Sequence, residues 1–212
     1  MKQNDVIFPC GDIKLEGIFF EILGEKQVPA VVVCHPHPLY GGSMHNNVTF
    51  ALAEAIVTRG IASLLFNFRG VGRSEGQHGG GVAEQEDIMA ALDWLQKQSA
   101  VAPLKLGLAG YSFGAAVALP VACRDQRVRA IALVSPYFDS SHEDLLKRCT
   151  LPKLMVNGGA DSLVSPETVA TYMNLAAEPK KQVQIEGADH LWGGYEDKMA
   201  AVVADFFADL LL

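Results

Sequence analysis

The sequence is short of basic residues, of closely spaced cysteines and of long apolar runs, and each shortage removes a class of protein. Lysine and arginine number 17 against 24 aspartates and glutamates, for a net charge of −7 and an isoelectric point near 5.3. No basic run exceeds Lys180-Lys181. A chain without a positive face cannot neutralise phosphates, so nucleic acid is not expected as a partner. No stretch reaches the ~18 consecutive apolar residues that mark a membrane span. The opening Met-Lys-Gln-Asn-Asp lacks the apolar core and small-residue cleavage site of a signal peptide. Cys10, Cys34, Cys123 and Cys149 are far apart and form no CxxC pair. They read as buried free thiols in a reducing cytoplasm, not as a disulfide frame or zinc site. Phosphate loops are poorly represented too. There is no Gly-Lys-Ser/Thr, and after Gly70-Val71-Gly72 the third glycine of a dinucleotide loop is replaced by Glu75.

What is present is apolar and regularly patterned. Half of the 212 residues are hydrophobic and 19% are charged. Mean hydropathy is +0.18. Such a chain can bury one large core, and residues 1–212 are expected to form a single domain. Strand-length apolar runs at 6–9 and 13–22 suggest a hairpin turned at Cys10-Gly11-Asp12, with a further turn at 24–29. The run 30–34 is continuous and largely β-branched, which suits a strand buried on both faces. Helical spacing follows at 47–59, then a strand at 61–66 and an amphipathic helix at 82–98. Further on come a strand at 104–109, a helix at 113–123 and strands at 128–134 and 154–157. A helix at 166–176 opens on Pro166, followed by a strand at 182–185 and a last helix at 195–211. This alternation predicts an α/β fold, a three-layer α/β/α sandwich around a mostly parallel sheet of about eight strands, the first two antiparallel.

In open α/β sheets the ligand site lies beyond the C-terminal ends of the strands. The strand at 104–109 ends in Gly110-Tyr111-Ser112-Phe113-Gly114, a G-x-S-x-G leading straight into an alanine-rich helix. A sharp strand-to-helix turn needs small neighbours, and a serine there meets the positive end of the helix dipole. Ser112 is therefore the candidate nucleophile. A serine hydroxyl needs a base, and His190 follows the last strand and precedes the last helix. An acid to orient the imidazole should follow an intervening strand. Asp161 does so after 154–157, with Asp139 in reserve, while Asp189 reads as a loop residue. His35, His37 and His45 could in principle supply three metal ligands, but their stretch contains no acidic or cysteine ligand, so no metal is expected. His78 and His142 read as surface residues, the run Gly79–Gly81 as a flexible turn, and Arg69 as one half of a structural ion pair.

Gly110–Gly114, Asp161 and His190, in this order on these strand ends, resemble the α/β-hydrolase superfamily over nearly the whole chain. The stretch from Val33 to Gly42, containing His35-Pro36-His37-Pro38, resembles the family's oxyanion loop in a variant seen in small bacterial hydrolases. Asn67-Phe68-Arg69-Gly70-Val71-Gly72-Arg73-Ser74 matches the family's turn after the fourth strand. An oxyanion hole needs two backbone N–H donors. One falls to Phe113, the residue after the nucleophile. Pro36 and Pro38 have no N–H to offer, which leaves His37, Leu39 and Tyr40 for the second.

Many α/β-hydrolases carry a helical lid before the catalytic acid. Here fewer than twenty residues separate the strand ending near Ser135 from the one starting near Leu154. One short helix at 144–149 fits there and nothing larger. Tyr40, Tyr111, Tyr137, Phe138 and Trp192 are candidate pocket walls. The expectation is a lidless, cofactor-free serine hydrolase acting on small-molecule carboxylic esters of small or accessible acyl groups. Thioesters, amides or peptides are rivals within the same mechanism, and a non-catalytic binding protein is the rival outside it. Position 112 excludes a cysteine nucleophile or a dehalogenase aspartate. A homodimer is compatible with the sequence.

Overall fold

The computed structural model describes residues 2–24 and 27–212. Of the expected turn at 24–29, Glu25 and Lys26 lie outside the described residues. In chain order the elements are β1 (Lys2–Cys10), β2 (Ile13–Glu21), β3 (Val28–Cys34), α1 (Asn47–Thr58), β4 (Ala62–Phe66), α2 (Glu84–Gln96), β5 (Val101–Tyr111), α3 (Phe113–Arg124), β6 (Val128–Val134), α4 (Ser140–Arg148), β7 (Lys153–Gly158), α5 (Pro166–Leu175), β8 (Lys180–Ile185) and α6 (Glu196–Leu211). The strands form one sheet in the order β1-β2-β4-β3-β5-β6-β7-β8. β2 pairs antiparallel with both β1 and β4, and every other neighbouring pair is parallel. Only β2 therefore runs against the rest, a sense of direction that the opening hairpin could not reveal by itself.

Alternation along the strands sorts the core into two layers. In β3, Ala30, Val32 and Cys34 face one layer, where Ile88, Leu92 and Leu95 of α2 meet Ala115, Ala118 and Leu119 of α3. Val31 and Val33 face the other, where Val48, Leu52 and Ile56 of α1 pack with Met199, Val203 and Phe207 of α6. All seven residues of β3 and all five of β4 are buried, which is why those strands carry no polar alternation.

Several elements are longer than their apolar pattern, β1 and α4 among them. β1 begins at Lys2 because its polar residues pair with β2 from Lys2 opposite Glu21 down to Cys10 opposite Ile13. α4 begins at Ser140, ahead of the expected 144, because Asp139 caps it. The Asp139 side chain accepts from the Ser141 N–H, and its N–H donates to His142 in a reciprocal capping box. α4 is the one short helix in the space where a lid would sit. The fold is an α/β-hydrolase sheet without a lid.

Candidate active site

Three parallel strands deliver three polar side chains to one end of the sheet. Ser112 follows β5, Asp161 follows β7 and His190 follows β8. His190 Nε2 lies 3.1 Å from Ser112 Oγ, and His190 Nδ1 lies 2.9 Å from Asp161 Oδ2. The serine sits at the N-cap of α3 but makes no capping bond with its side chain; its hydroxyl is turned to the histidine instead. Its backbone has φ 54° and ψ −114°, a conformation that costs an ordinary residue about 1–3 kcal/mol and is held by its surroundings. Those surroundings require glycine. A Cβ on Gly114 would collide with the backbone carbonyls of Cys34 and His35, and one on Gly110 with the backbone of Gly114.

Asp161 is 2% exposed. Its Oδ1 accepts the Leu163 and Val164 N–H groups at 3.0 and 2.8 Å. Burial pushes its pKa up. The hydrogen bonds from His190, Val164 and Ser135, with the charge of His190, outweigh burial and hold the carboxyl below its ordinary value. Ser135 was not singled out in the sequence. It is fully buried, holds φ 41°, and its Oγ accepts from the Trp192 indole at 3.2 Å while bonding Asp161. A serine ending the strand beside β7 was the one signal available. Tyr111 donates its hydroxyl to the His190 carbonyl at 2.7 Å. Burial first, then the charges of Asp161 and Asp189, raise its pKa, so it remains a donor.

The loop after β3 is fixed from below by a buried histidine. His35 Nε2 accepts the Phe68 N–H at 3.1 Å, and its Nδ1 lies 2.6 Å from the Pro36 carbonyl. Nδ1 therefore carries the proton. Burial drives its pKa down to about 4, and with Nε2 already taken His35 has no lone pair for a metal. Asn67 extends the clamp. Its Oδ1 accepts from the Met44 N–H and its Nδ2 donates to buried Glu16, which also receives Arg73. Arg69 makes its expected ion pair, with fully buried Asp87 at 2.7 Å.

Within this loop the three candidate N–H groups differ. Leu39 N–H donates to His37 Nδ1 and Tyr40 N–H to the His37 carbonyl. The N–H groups of His37 and Phe113 have no acceptor among the described residues, and the two rings lie 4.7 Å apart. Burial, then the charge of His78, keeps the His37 pKa below its ordinary value.

A cavity of about 650 Å³ opens beside these two residues, between α3, α4 and the turn before α2. Val82, Val117, Leu145 and Tyr137 give it apolar walls. Tyr137 thus lines a pocket. Tyr40 is 88% exposed and packs on His37. Trp192 and Tyr111 are core residues with no surface to offer a substrate, and Phe138 is buried against His142. Their apolar rings had made them look like pocket walls, but burial on the sheet side claims them. His78 and His142 are half-buried, not surface residues. The glycine run is no free turn either: Gly79 and Gly81 N–H groups both donate to the buried Glu84 carboxylate at 2.7 Å. Asp139 caps α4 and Asp189 accepts two loop N–H groups, so neither competes for His190. Among the described residues no cluster of His, Cys, Asp and Glu could hold a metal, and no helix is long and apolar enough to cross a membrane.

Fold and site together define an α/β-hydrolase of the lidless kind. Residues 23–148 match the model of the X-Pro dipeptidyl-peptidase (S15) family, and the chain belongs to that family. An α/β serine hydrolase homologue from Coxiella burnetii superposes with a TM-score of 0.87 at 33% identity, over 97% of both chains. A lidless α/β serine hydrolase from Xanthomonas campestris gives a TM-score of 0.83 at 27% identity, over 97% of this chain and 94% of that one. An uncharacterized protein from Rickettsia prowazekii is 34% identical over 186 residues, covering 84% of this chain and 78% of the relative.

Proposed function

We propose that this hydrolase cleaves carboxylic esters of small or accessible acyl groups through an acyl-enzyme on Ser112. The observation that carries the reading is the unbroken line from Ser112 Oγ through His190 to Asp161, at 3.1 and 2.9 Å. In this reading Ser112 attacks the ester carbonyl while His190 Nε2 takes its proton and returns it to the departing alkoxide. Asp161 holds the Nδ1–H tautomer and stabilises the imidazolium. Water then attacks the acyl-enzyme by the same route, so no cofactor enters the cycle. The developing oxyanion is met by the N–H groups of Phe113 and His37, whose lack of other acceptors and close contact support the pairing over Leu39 or Tyr40. The 650 Å³ cavity accepts one arm of the substrate. Four free thiols support a reducing, cytoplasmic setting.

The test is covalent labelling with a fluorophosphonate together with turnover of short-chain p-nitrophenyl esters. Ser112→Ala should abolish labelling and lower kcat/KM by roughly 10³-fold or more, with little change in Tm. Undiminished turnover by a folded Ser112→Ala protein would mean another nucleophile.

A further inference from the structure

Cys123 lies in the last turn of α3 and Cys149 is the C-cap of α4. Far apart in sequence, they are brought to one side of the molecule by the return of the chain through β6 and α4. Both line a second cavity, of about 390 Å³, that opens at the surface among Arg124, Arg129 and Arg148. Lys153, almost fully buried, completes the cluster. Its Nζ donates to the Ala177 carbonyl at 2.8 Å, and its charge reaches both thiols. The hydrogen bond from Cys123 lowers the Cys149 pKa against the opposing effect of burial, helped by the Leu151 N–H and Lys153. Cys123 moves the other way and keeps its proton. The thiolate is favoured on the Cys149 side of the pair, and Cys123 lines the same cavity to resolve its oxidation. The remaining cysteines have no such setting. Cys34 is sealed inside β3, where burial raises its pKa, and burial and Asp87 push Cys10 up to about 11.

We propose that Cys123 and Cys149 form an oxidant-sensitive dithiol, which a hydroperoxide entering the arginine-rimmed cavity converts to a disulfide. The Cys149 thiolate attacks one peroxide oxygen, the O–O bond breaks, and the departing oxygen takes up a proton and leaves as water or alcohol. Cys149 is now a sulfenic acid. The Cys123 sulfur attacks the Cys149 sulfur, the S–S bond forms, and the sulfenic hydroxyl leaves as water with the Cys123 proton. The two thiols lose two electrons and the peroxide gains them. The product ties the end of α3 to the end of α4, the helix that contributes Leu145 and Arg148 to the first cavity. The oxidation state of a remote pair therefore stiffens one wall of the substrate site.

Folded wild-type protein is treated with hydrogen peroxide, its remaining thiols are alkylated, and the digest is read by mass spectrometry without reduction. A Cys123–Cys149 linked peptide should form about tenfold faster than any oxidation of Cys10 or Cys34, and dithiothreitol should reverse it. In Cys123→Ser, dimedone should trap a sulfenic acid on Cys149. Linked peptide forming no faster than Cys10 and Cys34 oxidise overturns the proposal. So does dimedone labelling confined to Cys123 in Cys149→Ser, with none on Cys149 in Cys123→Ser.

Discussion

The two walls flanking the first cavity are built by different physics. One is the loop after β3, which brings His37 to the cavity and is backed by the turn after β4; both are clamped by groups with almost no contact with water: His35, Asn67, Glu16 and Asp87. Each makes two or more hydrogen bonds, and Asp87 alone receives the backbone N–H, Nε and Nη2 of Arg69. The other wall is α4. It buries one residue, Leu146, and is otherwise held by its cap, by His142 stacked on Phe138 at 4.9 Å, and by exposed pairs such as Arg148 with Asp144. Even its best anchor repairs a defect elsewhere. Pro120 has no N–H for the Ala116 carbonyl one turn back in α3, and His142 Nε2 reaches that carbonyl at 3.1 Å. The wall bearing the His37 N–H is thus immobilised by buried polar groups that cannot move without losing partners. The α4 wall rests on contacts that solvent can replace.

The contrast breaks most directly at Asp87. Asp87→Ala leaves the Arg69 guanidinium, whose side chain is 14% exposed, with only the exposed carboxylate of Glu86 at 3.2 Å, and should cost about 3 kcal/mol in urea unfolding. A cost near that of a surface pair, under ~1 kcal/mol, would erase the distinction between the walls.

Acid should attack the same wall next. The His35 pKa is about 4 in the folded protein against about 6.5 in an unfolded chain. The unfolded state therefore binds the extra proton first. Stability from neutral His35 is complete above about pH 6.5 and is lost as pH falls toward 4, amounting to roughly 3 kcal/mol. Unfolding free energies across that window should show the slope in wild type and not in His35→Gln.

The smallest effect belongs to α4. His142→Ala should lower stability by about 1 kcal/mol, the worth of one hydrogen bond beside a half-exposed helix. It should raise KM for short-chain esters while leaving kcat little changed. A fall in kcat with KM constant would place α4 in the same class as the rigid wall.

Much of this was legible without coordinates. The strand at 128–134 and the start of α1 at Asn47 coincide with the apolar pattern, because a strand buried on both faces and a capped amphipathic helix each leave a local periodic signature. G-x-S-x-G was legible because backbone crowding at a strand-to-helix turn admits only small neighbours. The extent of β1 was not, since its polar residues are strand only through pairing with β2. Ser135, the clamp of His35 on Phe68, and the burial of Trp192 were hidden for a similar reason: each depends on a partner far away in the chain.

The sequence by itself determined the alternating elements, the lidless length and which residue types could form a charge line at the strand ends, since these rest on local periodicity and spacing. Only the tertiary structure decided which N–H groups stay unpaired, which aromatics face solvent and which cysteines meet. Hydrogen-bond partnership and burial belong to pairs of residues, and the fold alone chooses those pairs.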